Sequence, residues 1–148
     1  GAIVGARAPL VAFNIELATA DPAVARVIAE AVRASSGGLP GVQAIGLALA
    51  HAGTSQVSMN VIDVDAAPLH AVVARVREEA TARGVAPVRG ELVGLVPARV
   101  VQRAAGASEA DLPDARTLAA AARALLLDTL PPEAVVELAL AAAGLLPT

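Results

Sequence analysis

Two stretches of the 148-residue sequence set polar side chains at every second position of otherwise apolar runs. In Leu10 to Leu17, Asn14 and Glu16 alternate with Val11, Phe13 and Ile15. In Ser55 to Asp63, Gln56, Ser58 and Asn60 alternate with Val57, Met59 and Val61. Period-two alternation marks a half-buried strand, because successive side chains of a strand face opposite ways. The polar set then forms one surface of amides, a hydroxyl and a carboxylate, rich in donors and acceptors. That surface suits a heteroaromatic ligand with several hydrogen-bonding edges, and it equally suits a solvated sheet face.

Other reactive groups are few. There is no cysteine, hence no disulfide, no thiolate nucleophile and no Cys-bearing zinc site. The two histidines, His51 and His70, are too far apart for a helical metal motif. Asp63 and Asp65 lack neighbours enough to complete a cation site, so no metal is expected. His70 falls in the first turn of an expected helix, where the helix dipole disfavours the imidazolium, which favours a packing or capping role over acid–base work. His51 falls near an expected hairpin tip, in solvent.

Composition removes several function classes. The chain is 56% hydrophobic with one aromatic residue, Phe13, and a net charge of −3 from fourteen acids and eleven bases. No polycationic surface exists to neutralise phosphates, and there is no Tyr or Trp for base stacking, so nucleic acid is not an expected partner. No apolar run reaches the roughly 18 residues of a membrane span; the nearest two are broken by Arg123 and Glu137. No signal-peptide pattern stands at Gly1; the absence of cysteine is compatible with the cytoplasm, the expected location.

The elements that must position these residues follow from punctuation. Leu10 to Leu17 reads as a strand, and Asp21-Pro22 supplies an N-cap and first-turn proline for a helix to Ala34, burying Val24, Val27, Ile28, Ala31 and Val32. Ser35-Ser36-Gly37-Gly38 ends that helix. Val42 to His51 and Ser55 to Asp63 form a hairpin, Pro68 to Arg83 a second helix before Gly84, and Val88 to Leu95 a fourth strand. Strand, helix, strand, strand, helix, strand is the ferredoxin-like βαββαβ order of an α+β fold: an antiparallel sheet with both helices on one face. One domain over 1–148 is expected, with its core at 9–97. Residues 98–148 add a C-terminal helical appendage, with helices from Pro97 to Ala105, Asp114 to Leu127 and Pro132 to Ala143.

Several motifs in order resemble the C-terminal half of the formiminotransferase domain. They are Gly5-Ala6-Arg7, Leu10-Val11-Ala12-Phe13-Asn14, Gly37-Gly38-Leu39-Pro40-Gly41-Val42-Gln43-Ala44-Ile45-Gly46, Gln56-Val57-Ser58-Met59-Asn60, Pro68-Leu69-His70 and Glu91-Leu92-Val93-Gly94-Leu95-Val96-Pro97. A weaker likeness runs through Leu127-Asp128-Thr129-Leu130. The resemblance implies transfer of a formimino group from N-formimino-L-glutamate to tetrahydrofolate in histidine degradation. It also implies a partner N-terminal subdomain, with folate in the tunnel between two facing halves.

The family's catalytic histidine belongs to that other half, so no catalytic residue is expected here. Folate contacts are implied for the loop Ser36, Gly37 and Gly38, and the tunnel lining for Asn14, Gln56, Ser58 and Asn60. Arg7 could meet a glutamyl carboxylate or form a surface ion pair, and Glu91 could meet the pterin edge or be an edge-strand charge. Gly90 departs from the family pattern, which commonly has Ser there. A stand-alone ferredoxin-like module for regulation or dimerisation, with a second copy on the polar face, is the competing expectation.

Overall fold

Alternation in the two central strands becomes burial in the computed structural model, which describes residues 10–146. Strand β1 (Val11–Leu17) pairs antiparallel with β3 (Thr54–Val61) on one side and β4 (Pro87–Val93) on the other; β2 (Val42–Leu49) flanks β3. The order β2-β3-β1-β4 is that of the ferredoxin-like fold. Val11, Phe13, Ile15, Leu17, Val57 and Val61 are sealed from solvent on one face, with Met59 nearly so. Each such side chain contributes roughly 1.5–3 kcal/mol on burial.

Helices α1 (Pro22–Val32) and α2 (Leu69–Ala82) cover that face. The Asp21 carboxylate accepts from the Ala23 N–H, which with Pro22 fixes the start of α1. Its buried stripe is Ala25, Ile28, Ala29 and Val32, not the expected Val24, Val27 and Ala31; Val27 is 43% exposed. Gly46 is the reason. A β-carbon there would collide with the α1 backbone at Ala25 and Arg26, so the helix lies directly on β2 and presents alanines to it.

Three further helices follow the sheet: α3 (Ala98–Ala105), α4 (Ala115–Ala124) and α5 (Val136–Ala142). Asp114 caps α4 through the Thr117 N–H, and Glu137 of α5 accepts from the Ala98 N–H at 2.9 Å, capping α3 from across the fold. Val100, Val101, Leu118, Ala121, Leu125 and Val135 join the buried cluster that includes Phe13 and Ile28. Helix α4 stops three residues before the expected Leu127. Leu126 turns left-handed (φ 62°), and its carbonyl accepts from the Gly90 N–H at 2.8 Å, which pins the chain to the edge of β4. The last expected helix is also divided: a short 3-10 turn at Pro132–Ala134 precedes Val135, which bridges Val96.

Candidate functional site on the open sheet face

The face without α1 and α2 is built from three cross-strand rows. Gln43, Asn60, Ala12 and Val93 lie side by side, then Ile45, Ser58, Asn14 and Glu91, then Leu47, Gln56, Glu16 and Arg89. Directly opposed residues on a sheet have β-carbons about 5 Å apart, so each row is a contiguous surface. All four expected residues of β1 and β3 therefore share one face, at the two central strands. The sequence reading missed Ile45, Leu47 and Val93, which are 56%, 39% and 51% exposed there.

Two concavities divide this face. A groove of about 710 Å³ is bordered by Ser58, Asn60, Gln43 and Ile45, and by Arg33 and Ser35 beyond the end of α1. A smaller hollow of about 380 Å³ lies toward the β2–β3 turn, lined by Asn14, Gln56, Glu16, Arg89, Glu91 and His51. Asn14 and Gln56 thus border one concavity, Ser58 and Asn60 the other. His51 is exposed in the turn, as expected, and additionally walls the hollow.

Charges in the hollow are largely satisfied by one another. The Asn14 Nδ2 donates to Glu91 Oε1 at 2.8 Å, and the Arg89 Nε lies 3.4 Å from Glu16 Oε1. Asp128 stands 4.0 Å from Arg89 on its far side. Glu91 keeps a carboxylate oxygen beyond its bond to Asn14. Across the groove the polar groups are uncharged amides and hydroxyls, except for Arg33.

The loop after α1 is held by backbone. Ala34–Ser36 make a 3-10 turn, Gly37 is left-handed (φ 86°), and the N–H groups of Gly37 and Gly38 donate to Ala34 and Arg33 carbonyls. A β-carbon at Gly38 would meet the Val32 carbonyl at 2.6 Å, so only glycine fits against the helix end. The Ser36 hydroxyl accepts from Arg33 Nε at 2.7 Å. The expected Ser36, Gly37 and Gly38 are not among the residues that line the groove; Arg33, Ala34 and Ser35 just before them are.

The remaining candidates lie elsewhere. His70 is in the first turn of α2 on the covered side, with a buried, unpartnered Nδ1. Gly90 faces the core, where a β-carbon would strike the Leu125 carbonyl and come within 2.6 Å of Phe13 Cζ; a serine hydroxyl at this position would not reach the open face. Arg7 lies outside the described residues. Asp63 caps its own turn through the Asp65 and Ala66 N–H groups. Asp65 is engaged by Arg103 and Arg99, whose hydrogen bonds hold its carboxyl below the usual carboxylate range. Among the described residues no group of three potential metal ligands assembles, and no helix is long and apolar enough to cross a membrane.

Residues 12–110, which include β2 to β4, α1 to α3 and all of β1 but Val11, match the formiminotransferase domain family. The chain belongs to that family. Members similar to it include the glutamate formimidoyltransferases of Thermoplasma acidophilum (40% identical over 95 residues, 64% of this chain and 31% of the relative) and Streptococcus pyogenes (39% over 98 residues, 66% and 33%). The formimidoyltransferase-cyclodeaminase of Gallus gallus is 38% identical over 108 residues, 70% of this chain and 20% of the relative. This formiminotransferase-family chain spans about a third of the length of the first two and a fifth of the third. The whole open face lies within the matched residues.

Proposed function

We propose that this chain is the C-terminal subdomain of a formiminotransferase domain and the folate-binding half of a glutamate formimidoyltransferase. Its partner is an N-terminal subdomain whose sheet faces the surface described above. The reaction moves the formimino group of N-formimino-L-glutamate to N5 of tetrahydrofolate in histidine degradation, in the cytoplasm. N5 attacks the amidine carbon, a tetrahedral intermediate forms, and the glutamate amine leaves after taking a proton. A histidine of the other half suits those proton transfers, since its ordinary pKa lies near neutrality.

The work left to this chain is orientation. Holding the nucleophilic nitrogen against the amidine converts a bimolecular encounter into a unimolecular one. Asn14, Gln56, Ser58 and Asn60 offer donors and acceptors to the folate, and the Ser36-Gly37-Gly38 loop supports Arg33 and Ser35 at one end of its groove. The observation that supports this reading best is the open face itself: three rows of amide, hydroxyl and apolar side chains with two concavities, in a chain matching this family. No metal enters the scheme.

Exposed Ile45, Leu47 and Val93 favour a second occupant of the same face, another copy of this chain. Titration of the 15N-labelled chain with tetrahydrofolate separates the two. Amide shifts centred on Asn14, Gln56, Ser58 and Asn60 at constant molecular mass are expected. Shifts that appear only on raising protein concentration, with folate without effect, would assign the face to self-association instead.

A further inference from the structure

Among the described residues, Arg33 is the one charged side chain bordering the 710 Å³ groove. It stands at the C-cap of α1, half-buried, with its Nε donated to the Ser36 hydroxyl at 2.7 Å. Five other arginines, Arg75, Arg83, Arg89, Arg99 and Arg103, sit within 4.0 Å of a carboxylate. Arg33 pairs with none among the described residues; Arg26, Arg77, Arg116 and Arg123 also lack an ion pair, but of these arginines only Arg33 borders the groove. Glu30, one turn back on α1, and Arg26 share a neighbouring hollow with it, yet no ion pair closes. The Ser36 bond uses the inner nitrogen and leaves the outer pair of the guanidinium for another acceptor. A guanidinium fork matches the two oxygens of a carboxylate.

We propose that Arg33 is a carboxylate-binding subsite at the end of the groove, held in place by Ser36 as a positioning residue. On the folate reading above, on which the ligand's identity rests, the glutamyl carboxylate lies at α1 and the ring system extends over Ser58 and Asn60. The arrangement gives Ser36 a part in binding through Arg33. A cation at the C-cap also complements the dipole of α1, which on its own would act on stability alone.

Titrations of the 148-residue chain with tetrahydrofolate and with its diamide, in which both carboxylates are carboxamides, test this directly. The wild type is expected to bind the acid about tenfold more tightly, the scale of a charge-assisted hydrogen bond. In Arg33→Ala the acid falls to the level of the diamide, and the diamide is unchanged. Arg33→Lys restores part of the preference, and Ser36→Ala loses about two- to threefold of it. Equal weakening of both ligands in Arg33→Ala, or an intact preference, overturns the subsite. If neither pteridine binds the wild type, the folate reading has failed, and N-benzoyl-L-glutamate decides the subsite alone. Binding of that compound, lost in Arg33→Ala, supports it; no Arg33-dependent binding overturns it.

Discussion

Neighbouring residues of β3 meet opposite surroundings: Val57 and Val61 are sealed against α1 and α2, whereas Ser58 and Asn60 border a groove on the uncovered side. The same contrast recurs along the open face. Toward the β2–β3 turn Arg89 is paired with Glu16 and the Asn14 amide donates to Glu91; toward α1, among the described residues, a single guanidinium faces uncharged amides. Where polar groups already satisfy each other, a ligand must displace bonds to bind, and net gain is small. Where they do not, binding adds bonds. The groove end is therefore the better place for affinity, and the hollow the better place for fixing orientation.

The largest expected effect comes from crossing between the two sides of β3. Val57→Asp places an isolated charge at a fully buried position and should abolish cooperative unfolding, as followed by far-UV circular dichroism. Asn60→Asp, three positions along and on the other face, should melt within about 0.5 kcal/mol of the wild type. A folded Val57→Asp beside a molten Asn60→Asp would break the comparison by inverting the register.

Gly90→Ser should cost about 1–3 kcal/mol by urea denaturation, since the added atoms meet the Leu125 carbonyl and the Phe13 ring. Its folate affinity should be unchanged. A gain in affinity would show that position 90 reaches the open face after all.

Asn60→Ala should weaken tetrahydrofolate binding by roughly 1–3 kcal/mol where the ligand group it served stays buried and unpaired. Asn14→Ala should cost less, because Asn14 is already engaged by Glu91. Equal losses would erase the distinction between groove and hollow.

The smallest effect is at acid pH and far from the face. The hydrogen bonds from Arg103 and Arg99 depress the Asp65 carboxyl, so the stability it contributes is present above its unfolded pKa of about 4 and is lost as pH falls through the lower folded value. Asp65→Asn should flatten that part of the acid limb in thermal melts and leave ligand binding at neutral pH untouched.

The four-strand order and the two faces of β1 and β3 were legible because polar and apolar residues alternate there without exception from Phe13 to Leu17 and from Gln56 to Val61. β2 hid its open-face residues: Ile45 and Leu47 are apolar yet exposed, so hydropathy could not tell its sides apart. On α1 the expected Ile28 and Val32 are buried, but helix periodicity favours the larger Val24 and Val27 over Ala25 and Ala29, which the close approach at Gly46 selects. In Leu125, Leu126 and Leu127 nothing marks a helix end; a hydrogen bond to a residue 36 positions earlier ends it. Arg33 carried no signal at all, since its value lies in what does not pair with it.

That bond between Gly90 and Leu126 also bears on how the molecule keeps to itself in crowded solution. It occupies an outward-facing N–H of β4, so one rim of the sheet is partly closed to a strand from another chain. On the opposite rim, β2 has no such cover among the described residues between Gln43 and Leu49, and its side chains there include Ile45 and Leu47. An uncapped apolar rim templates intermolecular strand pairing. Aggregation at high concentration should therefore start along β2 and spare β4, and Ile45→Lys should slow it in light-scattering measurements.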